Sequence, residues 1–348
     1  MPNKSISLNS QLSDELESLL KEEDMTCPNT LEGIIDLAVQ ISNYKEEGKA
    51  LFPEVYITDS LSAIKKSLVN ADFIKIGVGE RLPKVMAKAL KKCAPLAFGG
   101  WCVYILRTDD SFEYGMFRAG ATIISIPIYK DIIDDGDPEE RIIGIRQIAD
   151  KVVEVKGVKG QYLTINFGVN SVSGISILDE QKKFIQNILE KVDPKIKDQM
   201  TIFFARLFLY VTQNGHGHLC TVIDYKKAYP KFLTDGILLD QEISVSETIR
   251  QLSTTIETSN TLEINSKLNG TFNLIAGMMM SDGITVFTDN GTVKAYNVFI
   301  KHPKKDTEDV SGGARSRTFA VLGGRLSSII KSIYIQSQDG KTETRKYE

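Results

Sequence analysis

Cysteine, histidine and tryptophan are all scarce here, at four, three and one among 348 residues. The cysteines Cys27, Cys93, Cys102 and Cys220 are scattered and form no Cys-x-x-Cys pair. That spacing argues against a disulfide framework and fits a reducing, cytoplasmic setting. His216 and His218 sit close together, but His302 is the one further imidazole and no cysteine is near. The pair therefore reads as a turn rather than a metal site. Long apolar runs are missing too. The strongest, Ile202 to Val211, is broken by Arg206 and falls well short of the ~20 residues of a membrane span. The opening segment lacks the basic-then-apolar order of a signal peptide. No charge sign dominates: a net charge of -3 gives no reason to expect nucleic acid or an acidic membrane as partner. A single phosphate site stays open, because it needs only a few local cations. No internal repeat or low-complexity stretch is visible.

What is present is ordinary soluble-protein material, 42% hydrophobic and 25% charged, in a chain long enough for two domains. The pattern predicts helices over Ser10–Glu22, Thr30–Lys45, Pro83–Lys92, Arg141–Val153 and Asp179–Lys191. Between them it predicts strands over Ala71–Gly77, Trp101–Arg107, Glu113–Arg118, Thr122–Pro127 and Tyr162–Val169. Gly77-Val78-Gly79 reads as a plain strand-to-helix turn. Val192-Asp193-Pro194-Lys195 then reads as a boundary. Beyond it the expectation is a helix Lys197–Gln213, a turn, and a strand His218–Asp224. Strands Thr285–Thr288, Val293–Ile300, Ser332–Gln336 and Thr342–Lys346 follow, with helices Ser246–Thr255 and Phe319–Ile330. The expected fold class is α/β. A separate α/β N-terminal domain (1–190) precedes a C-terminal mixed β-sheet flanked by helices (195–348).

Two segments carry chemistry. Asp282-Gly283 stands at the entrance to the β-branched run Ile284-Thr285-Val286. Glycine admits a close backbone approach, and a carboxylate there can hold a divalent metal or take a proton. Asp-Gly is also a common turn dipeptide, as Asp289-Asn290-Gly291 is expected to be between Val286 and Val293. The second segment runs Ser311-Gly312-Gly313-Ala314-Arg315-Ser316-Arg317-Thr318 into an apolar helix. Free N–H groups and the helix dipole favour an anion at such a start. Arg315 and Arg317 add forked donors matched to phosphate. A solvated helix start with chance arginines is the competing reading. The basic loop Lys301–Lys305 lies between the two segments, and Met278–Met280 reads as core beneath the Asp-Gly turn.

With these segments in view, residues 195–348 resemble the diadenylate cyclase domain family. That family carries Asp-Gly-Ala on a strand and, further on, Gly-Thr-Arg-His-Arg at a helix start. The chain has Asp282-Gly283-Ile284 and Gly313-Ala314-Arg315-Ser316-Arg317. His218–Tyr225, Gly236–Ser244 and Ser332–Glu343 resemble the family's other blocks, in the family's order. The resemblance implies condensation of two ATP molecules into cyclic di-AMP with release of pyrophosphate. It implies Mg or Mn as the cofactor, and face-to-face pairing of two cyclase domains in a homo-oligomer. Asp282 would bind the metal and help activate the ribose 3′-hydroxyl. Arg315 and Arg317 would hold phosphate and stabilise the transition state. Gly283, Gly313, Ser316 and Thr318 would approach the nucleotide, and Leu239 and Asp240 would border the adenine.

Departures are visible as well. Ile284 stands where the family has alanine, Ala314 where it has threonine and Ser316 where it has histidine. Gln336–Gly340 replaces Ser-Glu-Glu-Thr-Gly, and its one carboxylate is Asp339. A sensor that keeps the phosphate pocket without turnover is the alternative reading. Residues 1–190 offer no catalytic constellation and read as a sensory domain for an unknown ligand. Trp101, Phe98, Phe112, Tyr114 and Phe117 there could line a ligand pocket, but aromatics on strands are more often core.

Overall fold

The computed structural model describes residues 8–68, 70–120, 122–174, 176–254, 258–300, 313–337 and 340–348. The basic loop 301–305, Ser311, Gly312 and Asp339 lie outside them. The chain divides into two compact units: residues 1–121 with 126–176, and residues 122–125 with 177–348. Both are α/β, with mixed sheets flanked by helices.

The first unit opens with α1 (Leu8–Glu22) and α2 (Pro28–Ile41), then a small hairpin of β1 (Lys45–Glu46) and β2 (Lys49–Ala50). β3 (Val55–Thr58), α3 (Leu61–Ser67), β4 (Asp72–Glu80), α4 (Pro83–Cys93), β5 (Trp101–Arg107) and β6 (Ser111–Arg118) follow. The unit ends with β7 (Ile142–Ala149), β8 (Val152–Gly157), β9 (Tyr162–Asn166) and β10 (Ser171–Ser173). The sheet order is β10-β9-β8-β7-β3-β5-β6-β4, with only β3 and β5 parallel. β3 escapes the sequence pattern because four residues carry little periodicity, yet it sits mid-sheet and is fully buried.

Three expectations are corrected here. Residues 141–153 form not a helix but the hairpin of β7 and β8. Ile142, Ile143, Ile145, Ile148, Val152 and Val153 are all buried, and β-branched side chains covered on both faces lose the alternation that marks a strand. Lys151 takes φ 56° in the connecting turn. Residues 122–127 form no strand. Thr122 and Ser125 close a turn on each other, with Thr122 N–H donating to Ser125 Oγ at 2.9 Å, while Ile123 and Ile124 pack on the second unit's core. Gly77 and Gly79 lie within β4, where a Cβ on Gly77 would sit 2.5 Å from the Tyr114 hydroxyl.

The second unit starts with α5 (Ile177–Ile188), ahead of the expected boundary at 190–195. α5 buries Phe184, Ile185 and Ile188 in the same core as Phe208, Val222 and Tyr334. Gln181 Nε2 donates to Thr212 Oγ1 at 2.7 Å and Asn187 Nδ2 to Ser332 Oγ at 2.9 Å. The Asp193-Pro194 break is a local helix start, where Asp193 accepts from the Lys195 amide. α6 (Lys197–Asn214), β11 (His218–Ile223), β12 (Leu233–Thr234), β13 (Ile237–Ser244) and α7 (Ser246–Thr254) follow. Next come α8 (Thr258–Met280), β14 (Ile284–Thr288), β15 (Thr292–Ile300), α9 (Ala314–Gly323), β16 (Ile330–Gln336) and β17 (Thr342–Lys346).

The sheet runs β12-β15-β14-β11-β16-β17, and β13 also pairs with β15. β11 and β14 are parallel, while the other pairs are antiparallel. Two cores result, one on each face. Aromatic rings of α5, α6 and β16 fill one, and α9 covers the other with Phe319 and Leu322 against Ile333 and Ile335. No helix among the described residues is long and apolar enough to cross a membrane.

Candidate functional site

α8 ends at Met280, and Ser281 closes it by donating Oγ to the Met278 carbonyl at 2.7 Å. The chain then passes so close to β15 that a Cβ on Gly283 would lie 2.8 Å from Asn297 C and Val298 O. Gly283 adopts φ +85° there, which an L side chain resists. Glycine thus makes the approach possible, and it leaves Asp282 outside the strand, its side chain 86% exposed. Gly283→Ala is expected to cost about 1–3 kcal/mol from the positive φ alone. Urea unfolding checks this, and a loss below 0.5 kcal/mol (about a third of one hydrogen bond's upper value) would show that the backbone relaxes freely.

The second motif places its arginines inside the helix rather than ahead of it. α9 begins at Ala314, capped by extended Gly313, and ends at Gly323-Gly324. The expected helix over Phe319–Ile330 is corrected accordingly: the glycine pair stops it, and Ile330 already belongs to β16. The first turn contains no acidic residue, and cations there oppose the helix dipole. A bound anion would reverse that penalty. Arg315 reaches across to the first motif. Its Nη2 donates to Asp282 Oδ1 at 3.2 Å and its Nη1 to the His216 carbonyl at 3.2 Å. Two residues 33 apart in sequence are thus joined at the mouth of one cavity.

That cavity is about 980 Å³, and Asp282, Gly283, Gly313, Arg315, Ser316 and Thr318 all line it. Three expected site residues do not. Arg317 is exposed and absent from the lining, because a residue two on from Arg315 is turned about 200° around the helix axis. The i, i+2 arginines therefore do not grip one phosphate together from this helix. Leu239 is half-buried against the core of α6 and α8. Asp240 lies where β13 leaves the ladder, between Leu238 and Ile243, exposed and outside the cavity lining.

Sequence reading missed the opposite wall. Phe299, Ser337, Lys341, Glu343 and Arg345 also line the cavity. The alternation of charged residues in Lys341–Arg345 was the available signal. His216 joins the lining, whereas His218 turns into the core, so the two do not share a ligand. No group of three metal-binding side chains occurs among the described residues. Asp282 and Glu343 are the carboxylates on the lining. That set suits an ion such as Mg²⁺, which takes one or two carboxylates and fills its shell with substrate phosphates and water. No family model, no curated protein and no solved structure matches this chain.

Proposed function

We propose that the second unit binds ATP and, paired face to face with the same unit of a second copy, condenses two ATP molecules into cyclic di-AMP. One observation carries the reading: Asp282 and Arg315 meet over a large cavity at the N-terminus of α9. In each half-reaction the 3′-oxygen of one ATP bonds to the α-phosphorus of the other. The bond to pyrophosphate breaks, and the hydroxyl proton passes to a carboxylate, for which Asp282 is placed. Arg315 and the N–H groups at the start of α9 stabilise the charge that builds on the phosphoryl oxygens. Asp282 would hold Mg²⁺ or Mn²⁺ together with substrate phosphates, and such an ion would supply further charge neutralisation. Ser316 and Thr318 add hydroxyls to the phosphate end. Arg317, which does not line the cavity, takes no part in this phosphate site. The first unit regulates the pairing, and the protein works in the cytoplasm.

Full-length protein with ATP and Mg²⁺ or Mn²⁺ should yield cyclic di-AMP by mass spectrometry. Asp282→Asn should lower the rate by about 10²–10³-fold, the scale of losing one preorganised polar group at a reacting centre. Arg315→Ala should weaken ATP binding as well as turnover. Saturable ATP binding that Arg315→Ala weakens, with no product at any protein concentration, would replace the cyclase with a nucleotide sensor. The ion pair between Asp282 and Arg315 favours that second reading to a degree, since nucleotide must part them before a metal can bind. Dilution gives an independent check. If two facing units share the reaction, activity per protomer falls as the pair dissociates.

A further inference from the structure

Of the three Lys and Arg side chains on the lining, Arg315, Lys341 and Arg345, only Arg315 belongs to the motifs. β17 pairs with β16 so that Glu343 lies opposite Ile335 and Arg345 opposite Ile333. These positions share the face that α9 covers, while Thr344 projects to the other side and donates Oγ1 to the Glu180 carbonyl at 2.9 Å. The Arg345 guanidinium lies 4.8 Å from the Phe319 ring centroid and donates Nε to Glu343 Oε1 at 2.7 Å. A Cβ on Gly323 would stand 2.7 Å from its Nη1, so glycine there makes room for the fork. Arg345 is thereby stacked and oriented before any ligand arrives.

Lys341 stands at the mouth of the same wall. Its amide donates to Ser337 Oγ at 3.1 Å, and that hydroxyl donates back to the Lys341 carbonyl at 3.2 Å. The cavity's two carboxylates each face an arginine, Asp282 with Arg315 and Glu343 with Arg345. Lys341 pairs with no carboxylate among the described residues. Among the described residues, the uncompensated positive charge of the lining therefore sits on Lys341, just ahead of β17.

Position completes the case. Strands β15, β14, β11, β16 and β17 stand side by side, four spacings of ~4.8 Å, or about 19 Å across. Phe299, an exposed ring, marks the β15 side, Arg315 the middle, and Lys341 the far side. We infer that β17 forms a separate anion subsite, in which Lys341 and Arg345 hold the terminal phosphates of a nucleoside polyphosphate whose first phosphate lies at the start of α9. The inference rests on the nucleotide reading for the base end only. It selects triphosphate over monophosphate, because Lys341 and Arg345 add cations beyond the one that Arg315 offers a first phosphate at the start of α9.

Calorimetric titration of the full chain with ATP, AMP and inorganic tripolyphosphate tests it. Lys341→Gln should weaken ATP and tripolyphosphate about tenfold, the effect of one charge-assisted contact, and change AMP less than about twofold. Lys341→Arg should restore the binding. Phe299→Ala should weaken ATP and AMP and spare tripolyphosphate. Equal weakening of ATP and AMP by Lys341→Gln overturns the subsite and leaves the nucleotide reading standing. Tripolyphosphate binding lost in Lys341→Gln, with no nucleotide bound by the wild type, keeps the subsite and removes that reading. A wild type that binds none of the three overturns both.

Discussion

Lowering the pH from about 6.5 to about 4 should cost the wild-type chain about 3 kcal/mol more stability than His218→Phe loses over the same range. His218 is 1% exposed and sits between Phe208 and Tyr334, with ring centroids 5.7 and 5.4 Å away. Neither ring nitrogen has a hydrogen-bond partner among the described residues. Burial, and to a lesser extent the charge of Arg315, pushes its pKa from 6.5 down to about 3. The sign follows directly. Below pH 6.5 the unfolded chain takes up a proton that the folded chain refuses until about pH 3. Stability is therefore whole above that window and falls through it by about 1.4 kcal/mol per pH unit. Phenylalanine keeps a planar ring and removes the proton site. Urea unfolding of both proteins at matched pH values cancels the shared carboxylates. Parallel pH slopes would mean that His218 is hydrated in the folded chain.

The same residue shows why the site was only partly legible. Histidine in Gly215-His216-Gly217-His218 has the same letters whether it faces a ligand or a core. Gly217, at φ +87°, turns the chain between them, and only the packing of α6 on β11 decides the faces. Asp282 and Gly283 were legible because their chemistry is local: a glycine at positive φ and a carboxylate beside it. Arg315 was legible for the same reason, as a forked cation at a glycine-led helix start. Arg317 was not, because its direction depends on where the helix begins. Starting at Ala314 instead of Phe319 sets the two arginines on opposite sides.

Tertiary packing hid the remainder. The strands Ser332–Gln336 and Thr342–Lys346 were expected and do pair as β16 and β17, but that this pairing brings Lys341 and Arg345 to the cavity depends on where α9 packs. α8 was overlooked although Leu268, Phe272, Ile275 and Met279 are buried at helical spacing. Its serines, threonines and asparagines lower helix propensity, and packing on α6 supplies what propensity lacks. Fold class, by contrast, survives such errors. Turning one expected helix into a hairpin leaves both units α/β, because the class depends on many segments and the site on a few.

Asp289→Ala should destabilise the second unit by about 3–5 kcal/mol, the cost of leaving a buried charge without its partner. The hairpin reading of Asp289-Asn290-Gly291 holds, with β14 and β15 on either side, yet the aspartate does more than turn the chain. It is fully buried. Oδ1 accepts the Tyr225 amide at 3.0 Å and Oδ2 accepts Lys331 Nζ at 2.7 Å. Its own amide donates to the Ile223 carbonyl at 3.0 Å and its carbonyl accepts the Lys191 amide at 2.7 Å. Four segments therefore converge on one residue: the end of α5, the end of β11, the hairpin and β16. Desolvation works against the Lys331 ammonium, but its bonds to Asp289 and Glu190 outweigh that and raise its pKa. Alanine leaves this ammonium, 17% exposed, with Glu190 alone. A surface pair would cost at most about 1 kcal/mol and fade in salt. Urea unfolding at low and high salt separates the cases, and a double-mutant cycle with Lys331→Met isolates the pair. A coupling of about 1–3 kcal/mol is expected, with the double variant less damaged than the sum of the singles. A single-variant loss below about 1 kcal/mol would instead show that the hairpin holds without its central charge, and that the four segments are joined by packing alone.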